Sequence, residues 1–263
     1  MSKTKVICFA NNKGGSGKST TCSNVGYALS TLGYKVLLID GDMQLNLTLS
    51  FFDEERALEY ASNGKNIYTA IKEEKDLSDF VVPTSFEGLD IVPSTSLMSA
   101  IEFDLFPKWQ REFIFKKCLA PICARGYYDY ILIDSPPTLG GWVMNILCAS
   151  DFVVIPVEAS PWGLFGLANM FDFIGKVTEI SPNLSVMGVM VTKADERKNY
   201  FKETLKTLKD SEDIRVFENY VKVDSTVEWS QDNSCPVVAY KKYSRSALDY
   251  KKLAKEIMEY ANR

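Results

Sequence analysis

A short apolar run, Val6 to Ala10, leads straight into Asn11-Asn12-Lys13-Gly14-Gly15-Ser16-Gly17-Lys18-Ser19-Thr20, and an amphipathic segment follows. Strand, glycine loop and helix in that order make an anion cradle. The glycines let backbone N–H groups converge, and the helix N-terminus adds a favourable partial charge. In such a cradle Gly14, Gly15, Ser16 and Gly17 surround the phosphates and Lys18 neutralises the β- and γ-phosphates. The Ser19 hydroxyl ligates Mg²⁺, and Thr20 lies near the α-phosphate. The spacing G-x-x-x-x-G-K-[ST] is incompletely met, because Asn12 takes the first glycine position. A second lysine, Lys13, stands before the Gly-Gly pair, where it has no obvious phosphate within its own subunit.

Acids close two later apolar runs. Asp40 and Asp42 follow Val36 to Ile39, and Asp134 follows Tyr130 to Ile133. Acids at the carboxyl ends of strands, downstream of a phosphate loop, fit the edge at which open parallel sheets bind ligands. After the run Val186 to Val191 comes Thr192-Lys193-Ala194-Asp195, which has the form of the [NT]-K-x-D motif that reads guanine. GTP therefore stands beside ATP as a candidate nucleotide.

These residues need elements to hold them. Apolar runs at Val6 to Ala10, Val36 to Ile39, Tyr130 to Ile133, Phe152 to Val157 and Val186 to Val191 read as buried strands. Helical patterns lie between several of them: Cys22, Val25, Leu29 and Leu32 on one face, Leu164 to Val177, and Tyr200 to Leu208. The alternation predicts an α/β fold with a mostly parallel twisted sheet covered by helices on both faces. Residues 53 to 125 are the least legible, with helical patches around Ile67 to Ile71 and Leu97 to Leu119 and a short strand at Leu89 to Pro93. Ser246 to Tyr260 predicts a closing helix that turns Leu248, the Lys252 stem, Ile257 and Met258 toward the core. The 263 residues contain no linker, repeat or low-complexity tract, so residues 1–263 are expected to form one domain.

Composition narrows the chemistry. Histidine is absent, which excludes Ser-His-Asp and Cys-His nucleophiles, imidazole bases and histidine-ligated metals. The 30 basic and 34 acidic residues give a net charge of -4, so any nucleic-acid contact must be a local patch. Six scattered cysteines lack metal-ligand spacing and read as reduced thiols of a cytosolic protein. The first apolar run is too short for a signal peptide or a membrane span.

Three segments carry a family resemblance. KGGSGKST at 13 to 20 resembles the deviant Walker A motif of the ParA/MinD group of P-loop NTPases, within which ParA partition ATPases are the nearest likeness. LLIDGDMQLNLT at 37 to 48 is similar to the switch segment LLIDxDPQGNxT, with Met43 for the proline and Leu45 for the glycine, while Asn46 matches. YDYILIDSPP at 128 to 137 resembles the Walker B region, and residues 151–167 resemble the strand and helix after it. The resemblance implies ATP and Mg²⁺ as cofactors. It also implies a nucleotide-sandwich homodimer in which Lys13 reaches the partner's nucleotide. Asp42 then orients the attacking water, Asp40 supports the metal and switch, Asp134 holds Mg²⁺, and Pro236 of the PVVAY segment packs beside adenine.

The same likeness implies nonspecific DNA binding and a ParB-like centromere-binding adaptor that stimulates hydrolysis. Lys241, Lys242, Arg245, Lys251, Lys252 and Lys255, against Asp249 alone, form a basic cluster suited to phosphate contacts. A chain that opens on its first strand leaves no room for a helix-turn-helix module, so operator binding is not expected. Without a basic amphipathic tail, membrane attachment of the MinD kind is not expected either. Tyrosines 240, 243, 250 and 260 also raise a tyrosine autokinase, although they interleave with the closing helix. A nucleotide-gated adaptor without turnover is the remaining alternative, and retention of both hydrolytic acids argues against it.

Overall fold

Strands apolar on both faces must be covered on both faces, and that requirement sets the architecture. The structure, a computed structural model, describes residues 4–160, 164–211 and 214–263. Among these, one sheet contains β1 (Lys5–Phe9), β2 (Val36–Asp40), β3 (Val82–Pro83), β4 (Leu89–Val92), β5 (Tyr130–Asp134), β6 (Phe152–Glu158) and β7 (Ser185–Thr192). Their order is β3-β4-β2-β5-β1-β6-β7. All pairs are parallel except β3 with β4. The two-residue β3 is an edge strand ending in Pro83, where a missing N–H costs no ladder bond.

The two-residue period of the strands divides the core into two. Cys8, Ile39, Ile131 and Ile133 point to one side, where Phe115, Leu119, Ile146 and Met170 meet them. Ile7, Phe9, Leu38 and Leu132 point to the other, against Cys22, Val25, Leu29, Leu253 and Ile257. Each such fully buried aliphatic or aromatic side chain contributes about 1.5–3 kcal/mol relative to exposure. The first side is covered by helices Ile114–Arg125, Gly141–Ala149 and Phe165–Ile180, and the second by Lys18–Ser30 and Arg245–Ala261.

The strand order places the site. With β2, β5 and β1 adjacent, Asp134 lies in register with both Asp40 and Phe9. The loop after β1 and the acids ending β2 and β5 therefore share one edge.

Some sequence expectations are corrected. Leu32 lies beyond the Lys18–Ser30 helix and is exposed, because that helix ends before it. In the closing helix Leu248 faces solvent, and the buried stripe is Tyr250, Leu253, Ala254, Ile257 and Ala261. The stretch from Leu97 to Leu119, expected to be helical in patches, is so. It breaks into a 3₁₀ turn Ser96–Ala100, helix Ile101–Leu105, a 3₁₀ turn Arg111–Phe113 and helix Ile114–Arg125, with Gln110 at φ 51° in the break. Of the likeness at 151–167, residues 161–163 lie outside the described residues. Among the described residues no helix is long and apolar enough to cross a membrane.

Candidate functional site

The loop between β1 and the first helix is closed by glycine. Gly17 is left-handed, with φ 87° and ψ 21°, a conformation that a side chain would strain. No side chain caps the helix that follows, so its first N–H groups remain available to an anion. A cavity of about 530 Å³ opens onto them, lined by Gly14, Gly15, Gly17, Lys18, Ser19 and Thr20. Asp42, Gln44 and Asn46 line it from the switch segment. Ser16 is buried under the loop, where the Thr192 hydroxyl donates to its carbonyl at 2.8 Å.

The three acids differ in what surrounds them. Asp40 is fully buried and its carboxylate is engaged. One oxygen accepts from the Thr48 N–H at 2.8 Å and the Thr48 hydroxyl at 2.6 Å, and the other accepts from the Asp42 N–H at 3.1 Å. Burial raises its pKa to about 6 against the pull of those bonds. Asp40 thus anchors the switch backbone. Asp134 is also fully buried, yet among the described residues neither oxygen has a well-formed hydrogen bond. Burial and then repulsion from Asp40 push its pKa well above the carboxylate range, with the Ser19 hydroxyl close enough to oppose this. Burial likewise raises Asp42, and it lowers Lys18 against the attraction of Asp134 and Asp42. The Lys18 ammonium donates to the Lys13 carbonyl at 3.3 Å.

A carboxyl whose folded pKa is raised is a cost to the folded state at neutral pH, and the cost fades as pH falls toward the ordinary carboxyl range. Asp134→Asn is therefore expected to raise the melting temperature of the nucleotide-free protein at pH 7.5 by about 2–4 °C, the effect of about 1 kcal/mol in a chain of this size. The gain shrinks at pH 4.5. Calorimetry at the two pH values checks this, and a fall in melting temperature at pH 7.5 contradicts it.

Lys13 does not line the cavity. Its ammonium donates to the Ser160 hydroxyl at 3.0 Å and pairs with Glu158 at 3.6 Å, at the end of β6. Pro236 does not line it either. It is buried at the start of helix Val237–Tyr240, where the Val238 N–H donates to the Asn24 side chain at 3.1 Å. Nor does Asp195, whose carboxylate is held by the Arg197 guanidinium at 2.9 and 3.0 Å.

Sequence reading missed the far end of the cavity, built by Val221, Val223, Asp224, Val227 and Gln231. Gln231 donates to the Thr20 hydroxyl at 3.1 Å. Lys193, the second residue of the proposed guanine motif, adopts φ 50° and lines the cavity, its ammonium 3.8 Å from where a Gly15 side chain would begin. Thr192 and Lys193 thus serve the phosphate loop, and the motif itself was their only signal.

The basic cluster is on the surface. Lys241, Lys242, Arg245 and Lys252 are exposed, while half-buried Lys251 donates to the Lys242 carbonyl at 2.8 Å. Lys242 and Lys251 flank the exposed Tyr243 ring at 5.2 and 5.9 Å. Asp224, which lines the cavity, also accepts from the Ser246 N–H and hydroxyl at the start of the basic helix. Burial pushes its pKa up, but the Ser246 and Thr226 bonds prevail and hold it at about 2.

Comparison with known proteins gives consistent relatives. A family model described as an AAA domain matches residues 4–187. The sporulation initiation inhibitor protein Soj of Bacillus subtilis is 33% identical over 254 residues, covering 96% of this chain and 98% of Soj. A putative plasmid partition protein from Borrelia burgdorferi, solved with AMPPNP, superposes with TM-score 0.79 at 26% identity over 98% of each chain. Cobyrinic acid a,c-diamide synthase from Mycobacterium smegmatis, solved with an ATP analogue and magnesium, superposes with TM-score 0.82 at 26% identity, over 97% of this chain and 94% of that one. The fold alone thus hosts different chemistries, and it is the sequence match that places the chain. This chain belongs to the AAA-domain family of P-loop proteins that includes Soj and the ParA partition proteins.

Proposed function

We propose that residues 1–263 form one Mg²⁺-dependent ATPase domain that partitions a plasmid or chromosome. Its ATP-bound form pairs face to face into a homodimer and binds nonspecific DNA on the nucleoid, in the cytoplasm. A ParB-like centromere-binding adaptor stimulates hydrolysis and releases it. The observation that carries this reading is Lys13, a loop ammonium outside its own cavity and held, among the described residues, by Ser160 and Glu158. A cation so placed can serve a phosphate delivered by a second copy.

Within each subunit the residues fit Mg²⁺·ATP. The uncapped helix N-terminus and Lys18 suit the phosphates. Mg²⁺ takes hard oxygen donors and keeps several waters, and the unpartnered Asp134 oxygens with the Ser19 hydroxyl supply that chemistry. When bound, the ion neutralises charge on the transferring phosphoryl group. Asp40 is better suited to anchoring the switch than to ligating metal, because its oxygens already hold Thr48 and Asp42. Asp42 faces the cavity as the residue that orients water. ATP is favoured over GTP because Asp195 is turned to Arg197 and away from the cavity. The tyrosine-kinase reading is disfavoured because Tyr250 is buried within the closing helix.

DNA retention measured with ATP, GTP, ADP and no nucleotide tests this. Retention is expected with ATP alone, and retention independent of nucleotide contradicts the reading. Replacing Lys241, Lys242 and Arg245 with alanine is expected to weaken binding and flatten the log-log salt dependence by about 0.9 for each DNA phosphate that is no longer neutralised. An unchanged slope would assign the cluster to ordinary surface.

A further inference from the structure

Asp42 is held through its backbone by contacts that reach it from outside both the glycine loop and the switch segment. The carbonyl of Gly41 and the N–H of Asp42 belong to one peptide group, and that group is pinned at both ends. The Trp142 indole N–H donates to the Gly41 carbonyl at 2.9 Å, and the Asp42 N–H donates to Asp40 at 3.1 Å. The fit around Gly41 is close. A side chain there would begin 2.8 Å from the Asp134 carbonyl and 3.4 Å from the Trp142 indole nitrogen. On the other side of Asp42 its own carbonyl accepts from the Ser94 hydroxyl at 2.7 Å and from the Leu45 N–H at 3.1 Å.

Both holding side chains are seated in turn. Trp142 is 2% exposed and packs on the Phe115 ring, centroids 5.3 Å apart. Its backbone N–H and that of Gly141 donate to the Glu102 carboxylate at 3.0 and 3.1 Å. Ser94 is fully buried, and its N–H donates to the Thr48 hydroxyl, which itself donates to Asp40. Trp142 thus follows the Asp134 segment and Ser94 follows β4, so two separate parts of the chain converge on the switch.

We propose that Trp142 and Ser94 are positioning residues for hydrolysis: by fixing the two peptide groups that flank Asp42, they set where its carboxylate stands over the cavity. The inference rests on the role proposed for Asp42. A displacement of about 1 Å in a water-orienting group costs on the order of 100-fold in rate without weakening ground-state binding. Loss of a pinning bond therefore acts on kcat and spares nucleotide affinity, whereas general damage to the fold would move both.

The test compares ATP turnover, KM and nucleotide affinity in Trp142→Phe, Ser94→Ala, Ser94→Thr and Asp42→Ala. Trp142→Phe keeps the aromatic bulk and loses the donor; its kcat is expected to fall about tenfold, the worth of one buried hydrogen bond, with affinity and KM within about twofold. Ser94→Ala is expected to lose roughly threefold in kcat, less because the Leu45 N–H still serves the Asp42 carbonyl, and Ser94→Thr to restore it. Should Trp142→Phe fail to fold, the Ser94 pair decides alone. Loss of turnover in Asp42→Ala with unchanged kcat in the folded Trp142 and Ser94 variants would overturn this inference and leave the role of Asp42 standing. Full turnover in Asp42→Ala would overturn both. Parallel losses of kcat and affinity would reassign Trp142 and Ser94 to structure.

Discussion

Lys13→Gln is expected to bind Mg²⁺·ATP like the native chain and to lose ATP-driven pairing, together with about 10³-fold of stimulated turnover, the scale of a cation supplied in trans to a phosphoryl transition state. The reasoning is geometric. Lys13 lies outside the residues that line its own cavity, so its removal takes nothing from the phosphate cradle formed by the Lys18–Ser30 helix and Lys18. In the single chain the ammonium is shared between Ser160 and Glu158, and pairing must exchange those contacts for a partner's phosphate. Glutamine keeps the stem and a donor but no charge, so binding and pairing separate in this variant. Equilibrium binding of a fluorescent ATP analogue, beside turnover measured with DNA and the adaptor present, reads the two. Loss of nucleotide affinity matching the loss of turnover would place Lys13 in its own subunit's site.

Asp42→Ala carries the second large effect. Turnover is expected to fall by about 10²–10⁴, the usual share of a group that orients or deprotonates the attacking nucleophile. Nucleotide affinity is expected to hold. Asp42 lines the cavity without being the acid with unpartnered oxygens, which is Asp134. Because burial and nearby Asp40 and Asp134 make this edge electrostatically costly, alanine also removes repulsion and leaves Lys18 in place. The variant should therefore trap the ATP-bound state. Single-turnover quench measurements separate this from slow product release, and turnover within twofold of native would remove Asp42 from the chemistry.

The loop from Gly14 to Thr20 was legible because its residues are contiguous and its backbone geometry is encoded by glycine. The acids were legible because strands announce their own ends, and parallel order brings the ends of β1, β2 and β5 together. Leu45 shows how far local reading goes. It occupies the switch position where the family pattern has glycine, and it adopts φ 57°, so the left-handed turn persists with a side chain that strains it. Pro236 shows where local reading stops. By resemblance the PVVAY segment is expected to pack beside adenine; in the structure Val237 and Val238 are buried in the core shared with the Lys18–Ser30 helix, and Pro236 is buried with them. The far end of the cavity was illegible for a similar reason. Val221, Val223, Val227 and Gln231 carry no motif, and only tertiary folding brings them to the Thr20 end of the loop. Ser94 was hidden in the stretch from 53 to 125, whose short turns and helices offer little periodicity to read.

Sedimentation equilibrium on Asp42→Ala, with Mg²⁺ and either ATP, ADP or no nucleotide, tests the central claim most directly. The expected result is twice the chain mass of 29.6 kDa with ATP and a single chain otherwise, with Lys13→Gln remaining single under all three conditions. A chain that stays single with ATP bound, or a Lys13→Gln variant that pairs as readily as native, would contradict the account.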